Sequence, residues 1–278
     1  YASTTDDNHG TAVAGVIAAA VGGGGAVGVA PGADITGYRV SFEYGTDAQF
    51  ETQLRNMANV DVANNSWGFT GFFEDNLRGS YASFGNALSY AASTGRGGLG
   101  TNIVFAAGNG WDYGEDVNYH GMQNSRHTIA VGGIEIDGDI SSFSTPGAAV
   151  LVSGPATNVY TTDVSGGSGY EAGDYVSING TSFAAPAVAG VVALMLEANP
   201  DLGYRDVQEI LAYSSKNPRT STSGWQTTGA DDWNGGGLKF SHDYGYGLVD
   251  AHAAVRLAET WDRQSTEANV VAASFNNL

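Results

Sequence analysis

The sequence predicts an α/β fold in which helices cover a mainly parallel sheet. Helical stretches alternate with short apolar strand-like runs between residues 9 and 107, a spacing that suits βαβ crossovers. Hydrophobic residues make up 42% of the 278, enough for one sizeable core. The 41 glycines, with no G-x-y period, exclude both a helical bundle and collagen.

The elements follow in order. From His9 the run H-G-T-A-V-A-G-V-I-A-A-A is small and apolar and predicts a buried helix ending near Ala20. The glycines of 22–25 stop it. Residues 34–40 predict a strand, and 47–58 an amphipathic helix through Phe50, Leu54 and Met57. V-D-V-A-N-N-S-W-G predicts a short strand entering a polar, Gly-terminated edge, residues 80–94 a helix, and 102–107 a buried strand ended by G-N-G. Further strands are expected at 127–131 and 148–152, then a loop-rich stretch from 153 to 180. Helices are expected from Ser182 to about Ala198, at 206–213 and at 250–261, with irregular structure over 216–247. No second folded domain and no internal repeat is evident.

The formal net charge of −18 disfavours nucleic acid and anionic membranes as partners. With no cysteine, disulfides, zinc thiolate sites and a cysteine nucleophile are excluded. No run of 18 apolar residues is present, so no transmembrane span is expected, and these residues are read without a signal-peptide pattern. The chain opens at Tyr1 without Met, which leads to the expectation of a processed or excised piece.

Three segments place a reactive or polar side chain where a small-residue element begins or ends: Asp7–Thr11, Ala106–Gly110 and Asn179–Pro186. The carboxyl ends of strands in an open α/β sheet converge on one crevice, so these segments can meet there. A serine hydroxyl is inert until a base takes its proton, and neutral histidine is a suitable base near pH 7. The backbone N–H of Ser182, at a helix N-terminus, and the amide of Asn109 can face a developing oxyanion. Each residue alone has an ordinary structural reading: Ser182 as an N-cap, His9 as a surface histidine, Asn109 as a turn residue.

Together, H-G-T-A-V-A-G-V-I-A-A, A-A-G-N-G and N-G-T-S-F-A-A-P-A-V-A-G resemble the His, Asn and Ser signatures of subtilisin-like serine proteases. The likeness extends through G-V-A-P at 28–31 and N-N-S-W-G at 64–68. It is closest to the kexin/furin branch, through Asp7-Asn8-His9, G-R-G-G-L-G at 95–100, N-Y-H-G-M-Q-N-S-R-H-T-I-A-V at 118–131 and W-N-G-G-G-L-K-F-S-H-D-Y-G-Y-G-L-V-D-A at 233–251. The resemblance covers about residues 5–262. It implies a three-layer α/β catalytic domain over 1–262, with 263–278 as a tail or linker stub.

Carried over by position, the resemblance makes Ser182 the nucleophile, His9 the base and Asn109 the oxyanion donor. It makes Ser66, Trp67 and Gly68 one backbone rail for an extended peptide, and Ala106, Ala107 and Gly108 the other. It places Asp6 and Asp7 in the pocket for a basic residue, and His120 where the branch carries a pocket acid. Calcium is the implied cofactor, held by carbonyls around Ala20, Gly23 and Gly25 and by Glu115 and Asp116. Thr145 stands where a further calcium-ligating acid is expected. Selectivity for basic residues is then weakened, or rebuilt from Asp112, Glu115 and Asp116.

In the family the triad Asp lies on the first core strand, roughly 30 residues or more before the His, and its loss costs about 10⁴ in rate. Only eight residues precede His9. The expectation is therefore a domain without its triad Asp, active when a co-folded N-terminal fragment supplies one. Other expected partners are an extended peptide or protein substrate, a C-terminal β-sandwich domain, and a propeptide or inhibitor. A secreted or periplasmic setting is implied. The alternatives are a catalytically silent scaffold, and an esterase, which the absence of G-x-S-x-G disfavours.

Overall fold

The computed structural model of the chain describes residues 7–22, 25–40, 45–218, 224–228 and 237–271. Among the described residues four parallel strands form the central sheet: β1 (Val62–Asn65), β2 (Asn102–Ala106), β3 (Thr128–Ile134) and β4 (Val150–Pro155), in the spatial order β1-β2-β3-β4. The helices are α1 (Asn8–Ala18), α2 (Asp47–Asn56), α3 (Ala82–Thr94), α4 (Thr181–Ala198), α5 (Tyr204–Ser214) and α6 (Ala251–Glu259). The result is the three-layer α/β arrangement expected.

The sheet is buried on both faces, as a parallel sheet must be. Alternate side chains of β2 show how. Val104 and Ala106 pack with Val188, Val192 and Met195 of α4 and with Ile210 of α5. Ile103 and Phe105 face the other way, against Leu54 of α2 and Phe84 and Leu88 of α3. Helix α4 is apolar around most of its circumference because it is a core helix. It is long and apolar enough to cross a membrane by length and composition, but two-thirds of that stretch is buried inside the fold.

Helices α1, α2, α3 and α4 lie within two or three residues of their predicted ends. The stretch 153–180 is more ordered than its composition implied. It contains an antiparallel pair, β5 (Val159–Thr162) and β6 (Tyr175–Ile178). Hydroxyls of Thr161 and Thr162 donate to the carbonyls of Ala12 and Thr11, at 2.7 and 3.0 Å, and hold α1 in place.

Residues 34–40 do not form the predicted strand. Positions 34–39 are exposed and belong to no ladder. β1 is an edge strand among the described residues, and a groove of about 1600 Å³ separates it from this segment. Ile35, Tyr38, Val62, Ala63, Ile17 and Ala193 contribute to its walls. A β-like composition makes a strand only where a neighbouring strand takes up its backbone hydrogen bonds.

Candidate active site

Helices α1 and α4 pack together through Ala12, Val16 and Phe183, with Val13 and Ala187 beside them. Small side chains let the two helices approach. Their N-terminal ends meet: the His9 ring lies 5.7 Å from the Phe183 ring, adjacent in sequence to Ser182. Burial holds the His9 pKa below its ordinary 6.5, because a charged imidazole is disfavoured away from water.

Ser182 is the second residue of α4, so its backbone N–H belongs to the helix's unpaired first turn. Gly180 precedes the helix with φ +142°, a conformation that side-chain-bearing residues rarely adopt. The Ser182 hydroxyl makes only a long contact, 3.5 Å, to the Ser66 carbonyl.

Asn109 follows β2 and is exposed. Its Oδ1 accepts from both the N–H and the hydroxyl of Thr181, at 2.9 and 3.0 Å. These two donors settle the orientation of the amide. Its Nδ2 is therefore turned away from Thr181. A Cβ built on Gly180 would lie 3.7 Å from it. Residues separated in sequence by 100 and 73 positions (His9 to Asn109, Asn109 to Ser182) thus converge at one end of the sheet.

The two expected rails leave β1 and β2. Ser66 and Trp67 are half-buried and Gly68 is exposed. Trp67 packs inward, 5.8 Å from the Phe50 ring and 5.7 Å from the Phe105 ring. Ala106 and Ala107 are buried, and the Ala107 N–H already bonds the Val131 carbonyl. Asp7 pairs with Arg39 at 3.1 Å. Asp6 and Gly23 lie outside the described residues.

One arrangement has no signal in the sequence. Asp75 Oδ1 lies 3.8 Å from His120 Nδ1, and both side chains are buried. The other His120 nitrogen faces Glu115 at 4.0 Å. Asp75 is held by the Met122 N–H, 2.9 Å from its Oδ2. Gly121 admits the Asp75 backbone, since a Cβ there would lie 2.3 Å from the Asp75 carbonyl oxygen. His120, expected to line a substrate pocket, is 2% exposed.

This pair corrects an expectation. The chain contains an acid–imidazole pairing of its own, so the reading of a domain deprived of its triad Asp does not stand. Nor do the dependence of activity on an added segment and the separate co-folded N-terminal fragment. Each rested on the eight residues before His9, too few to carry the family's Asp ahead of it, whereas the pairing joins residues 45 positions apart and after His9 in the chain.

The donors at the second expected calcium position do not fit that ion. Asp116 Oδ1 accepts the Asn118 N–H at 2.8 Å as a turn cap. Glu115 faces an imidazole, and among the described residues no three His, Asp or Glu side chains cluster as a metal site. Calcium prefers six or more oxygens. Gly25 packs close to the Tyr175 ring.

Residues 1–247 match the family model described as "Subtilase family". Among curated proteins, the chain is 33% identical over 273 residues to kexin of Saccharomyces cerevisiae, covering 95% of this chain and 32% of that protein. It is 34% identical over 272 residues to human furin, covering 94% and 32%. The chain thus spans about a third of the length of these relatives. A serine protease of Aeromonas sobria superposes with a TM-score of 0.82 at 24% identity, covering 94% of this chain and 54% of that one. A protease of Pseudoalteromonas arctica gives 0.70 at 28% identity, covering 90% and 70%.

Proposed function

This chain belongs to the subtilase family, and on that premise we propose that it is a serine endopeptidase. The observation that carries this reading is the packing of His9 against Phe183, the neighbour of Ser182 in sequence, at the paired ends of α1 and α4, with Asn109 bonded to Thr181 on the other side of Ser182. Ser182 Oγ attacks the peptide carbonyl carbon while His9 takes its proton. Asn109 Nδ2 and the Ser182 N–H stabilise the oxyanion. The C–N bond then breaks, His9 returns the proton to the leaving amine, and water hydrolyses the acyl-enzyme.

A second reading comes from Asp75 and His120: this imidazole, with a carboxylate oxygen 3.8 Å from its Nδ1, serves as the base. Against it, both His120 nitrogens face carboxylates and the ring is buried. The deciding experiment is labelling of the 278-residue chain with a peptidyl phosphonate, followed by mapping of the modified residue. Modification at Ser182 supports the proposal; a folded chain left unlabelled overturns it.

Cleavage after basic residues is the specificity we infer, supported by the kexin and furin relatives and by Glu115 close to Gly108 and Gly110. Phe72 and Phe73, exposed and packed on Tyr119, give the loop after Gly68 an apolar surface that tempers this preference. Paired peptides with Arg or Leu before the cleavage point test it, with higher kcat/KM for Arg expected. We infer a secreted or periplasmic setting, which the likeness to the bacterial proteases supports.

Two further results are expected. Asn109→Asp keeps an acceptor for Thr181 but loses the N–H donor, so turnover falls by about 10²–10³ while the fold survives. That magnitude is the one known for an oxyanion-hole asparagine in subtilisin. Steady-state kinetics beside circular dichroism would check it.

The labelling rate should rise with pH along one ionisation centred below 6.5 and level off above about pH 7. The sign follows from the lowered His9 pKa: between that value and 6.5 the unfolded chain binds more protons. The contribution to stability is therefore full above 6.5 and lost as pH falls through the folded-state pKa. A rate profile centred above 6.5 counts against His9 as the base.

A further inference from the structure

We propose that Ser66 is a positioning residue that acts on Ser182 through its side chain, besides any part its backbone plays in holding a peptide. Helix α4 carries Pro186 in its interior. A proline inside a helix has no N–H to give to the carbonyl four residues earlier. In α4 that carbonyl belongs to Ser182. It is not left bare: the Ser66 hydroxyl donates to it at 2.8 Å. The same Ser66 oxygen accepts the Asn64 amide N–H at 2.9 Å.

The hydroxyl has one hydrogen to give. With Asn64 donating to its oxygen, that hydrogen is directed at the Ser182 carbonyl. A relay therefore runs from the end of β1 into the first turn of α4. It fixes the backbone of the proposed nucleophile from the one direction the helix itself leaves open.

The relay also explains the N-N-S-W-G run. Asn64 aims Ser66. Asn65 Oδ1 accepts the Trp67 indole N–H at 3.2 Å, and its Nδ2 reaches the Ala63 carbonyl at 3.3 Å. Trp67 is thereby seated against Phe105 of β2. The serine and the proline lie 120 residues apart, yet they are complementary. The proline removes a hydrogen bond, and the serine replaces it from outside the helix.

This role rests on the reading of Ser182 as the nucleophile, and the test separates the two. The full 278-residue chain and its variants are reacted with a peptidyl phosphonate, reading the maximal inactivation rate and the half-saturating concentration separately. Ser66→Ala should lower the maximal rate about 10-fold with little change in half-saturation. Ser66→Thr, which keeps a hydroxyl, should stay near wild type. In Ser66→Ala/Pro186→Ala the restored N–H of residue 186 can bond the Ser182 carbonyl within the helix, and the rate should recover.

An effect of Ser66→Ala confined to half-saturation means the serine only binds peptide and overturns the role. So does an unchanged maximal rate, or a double variant no faster than Ser66→Ala alone when thermal melting shows all variants folded. An unlabelled wild type overturns the nucleophile reading and this role with it, whereas a labelled wild type with an indifferent Ser66→Ala overturns this role alone.

Discussion

Ser182→Ala is expected to abolish peptide turnover and phosphonate labelling, with a loss of about 10⁶ in kcat, the cost in subtilisin of removing the serine. The fold should be untouched, because the hydroxyl makes only a 3.5 Å contact to the Ser66 carbonyl. The same experiment separates the two imidazoles. His9→Ala should cost a comparable factor, since a nucleophile and its base act as a unit. His120→Ala and Asp75→Asn should leave acylation far less affected if His9 is the base. If His120 is the base, His120→Ala matches Ser182→Ala, Asp75→Asn costs about 10⁴, and His9→Ala becomes the mild variant. Circular dichroism is needed beside the kinetics, because His120 and Asp75 are buried and the Asp75 carboxylate holds the Met122 N–H.

Asp206→Ala is expected to be the most destabilising single substitution away from the site. Its carboxylate is wholly buried. Oδ2 accepts the N–H groups of Gly203 and Ser265 at 2.9 and 2.7 Å, and Oδ1 the Trp261 indole N–H at 3.0 Å. Removing it strands three donors, one at the start of α5 and two in the segment after α6. Each buried unsatisfied group costs roughly 1–3 kcal/mol, so a loss of about 4 kcal/mol and a fall of about 10 °C in Tm are expected. Limited proteolysis should then cut first near residues 262–271, where the lost bonds held the chain. A Tm close to that of the wild type would show that the carboxylate is dispensable.

Much of the proposed site is legible in the sequence. His9, Asn109 and Ser182 sit in runs of small residues that serve close backbone approach, and such runs are unusual enough to be read locally. The helices are legible from their periodicity, and the sheet class from alternation of elements. The failures share one physical cause. Residues 34–40 have strand composition, but a strand exists only where hydrogen bonds to a neighbour exist, and composition does not report the neighbour. Asp75 reads as one more loop acid until the chain returns 45 residues later with His120. An aspartate looks the same in sequence whether solvated or buried against an imidazole.

Taken alone, the sequence determined the α/β class, the small-residue helices that let α1 and α4 pack, and the identity of the three polar residues at the candidate site. Only the tertiary structure decided which acid meets which histidine, which way the Asn109 amide turns, and that Ser66 satisfies the carbonyl Pro186 leaves open. Periodicity and residue size act within a few positions of the chain. The hydrogen bond between residues 66 and 182, or the approach of residue 75 to residue 120, depends on where packing brings distant segments to rest.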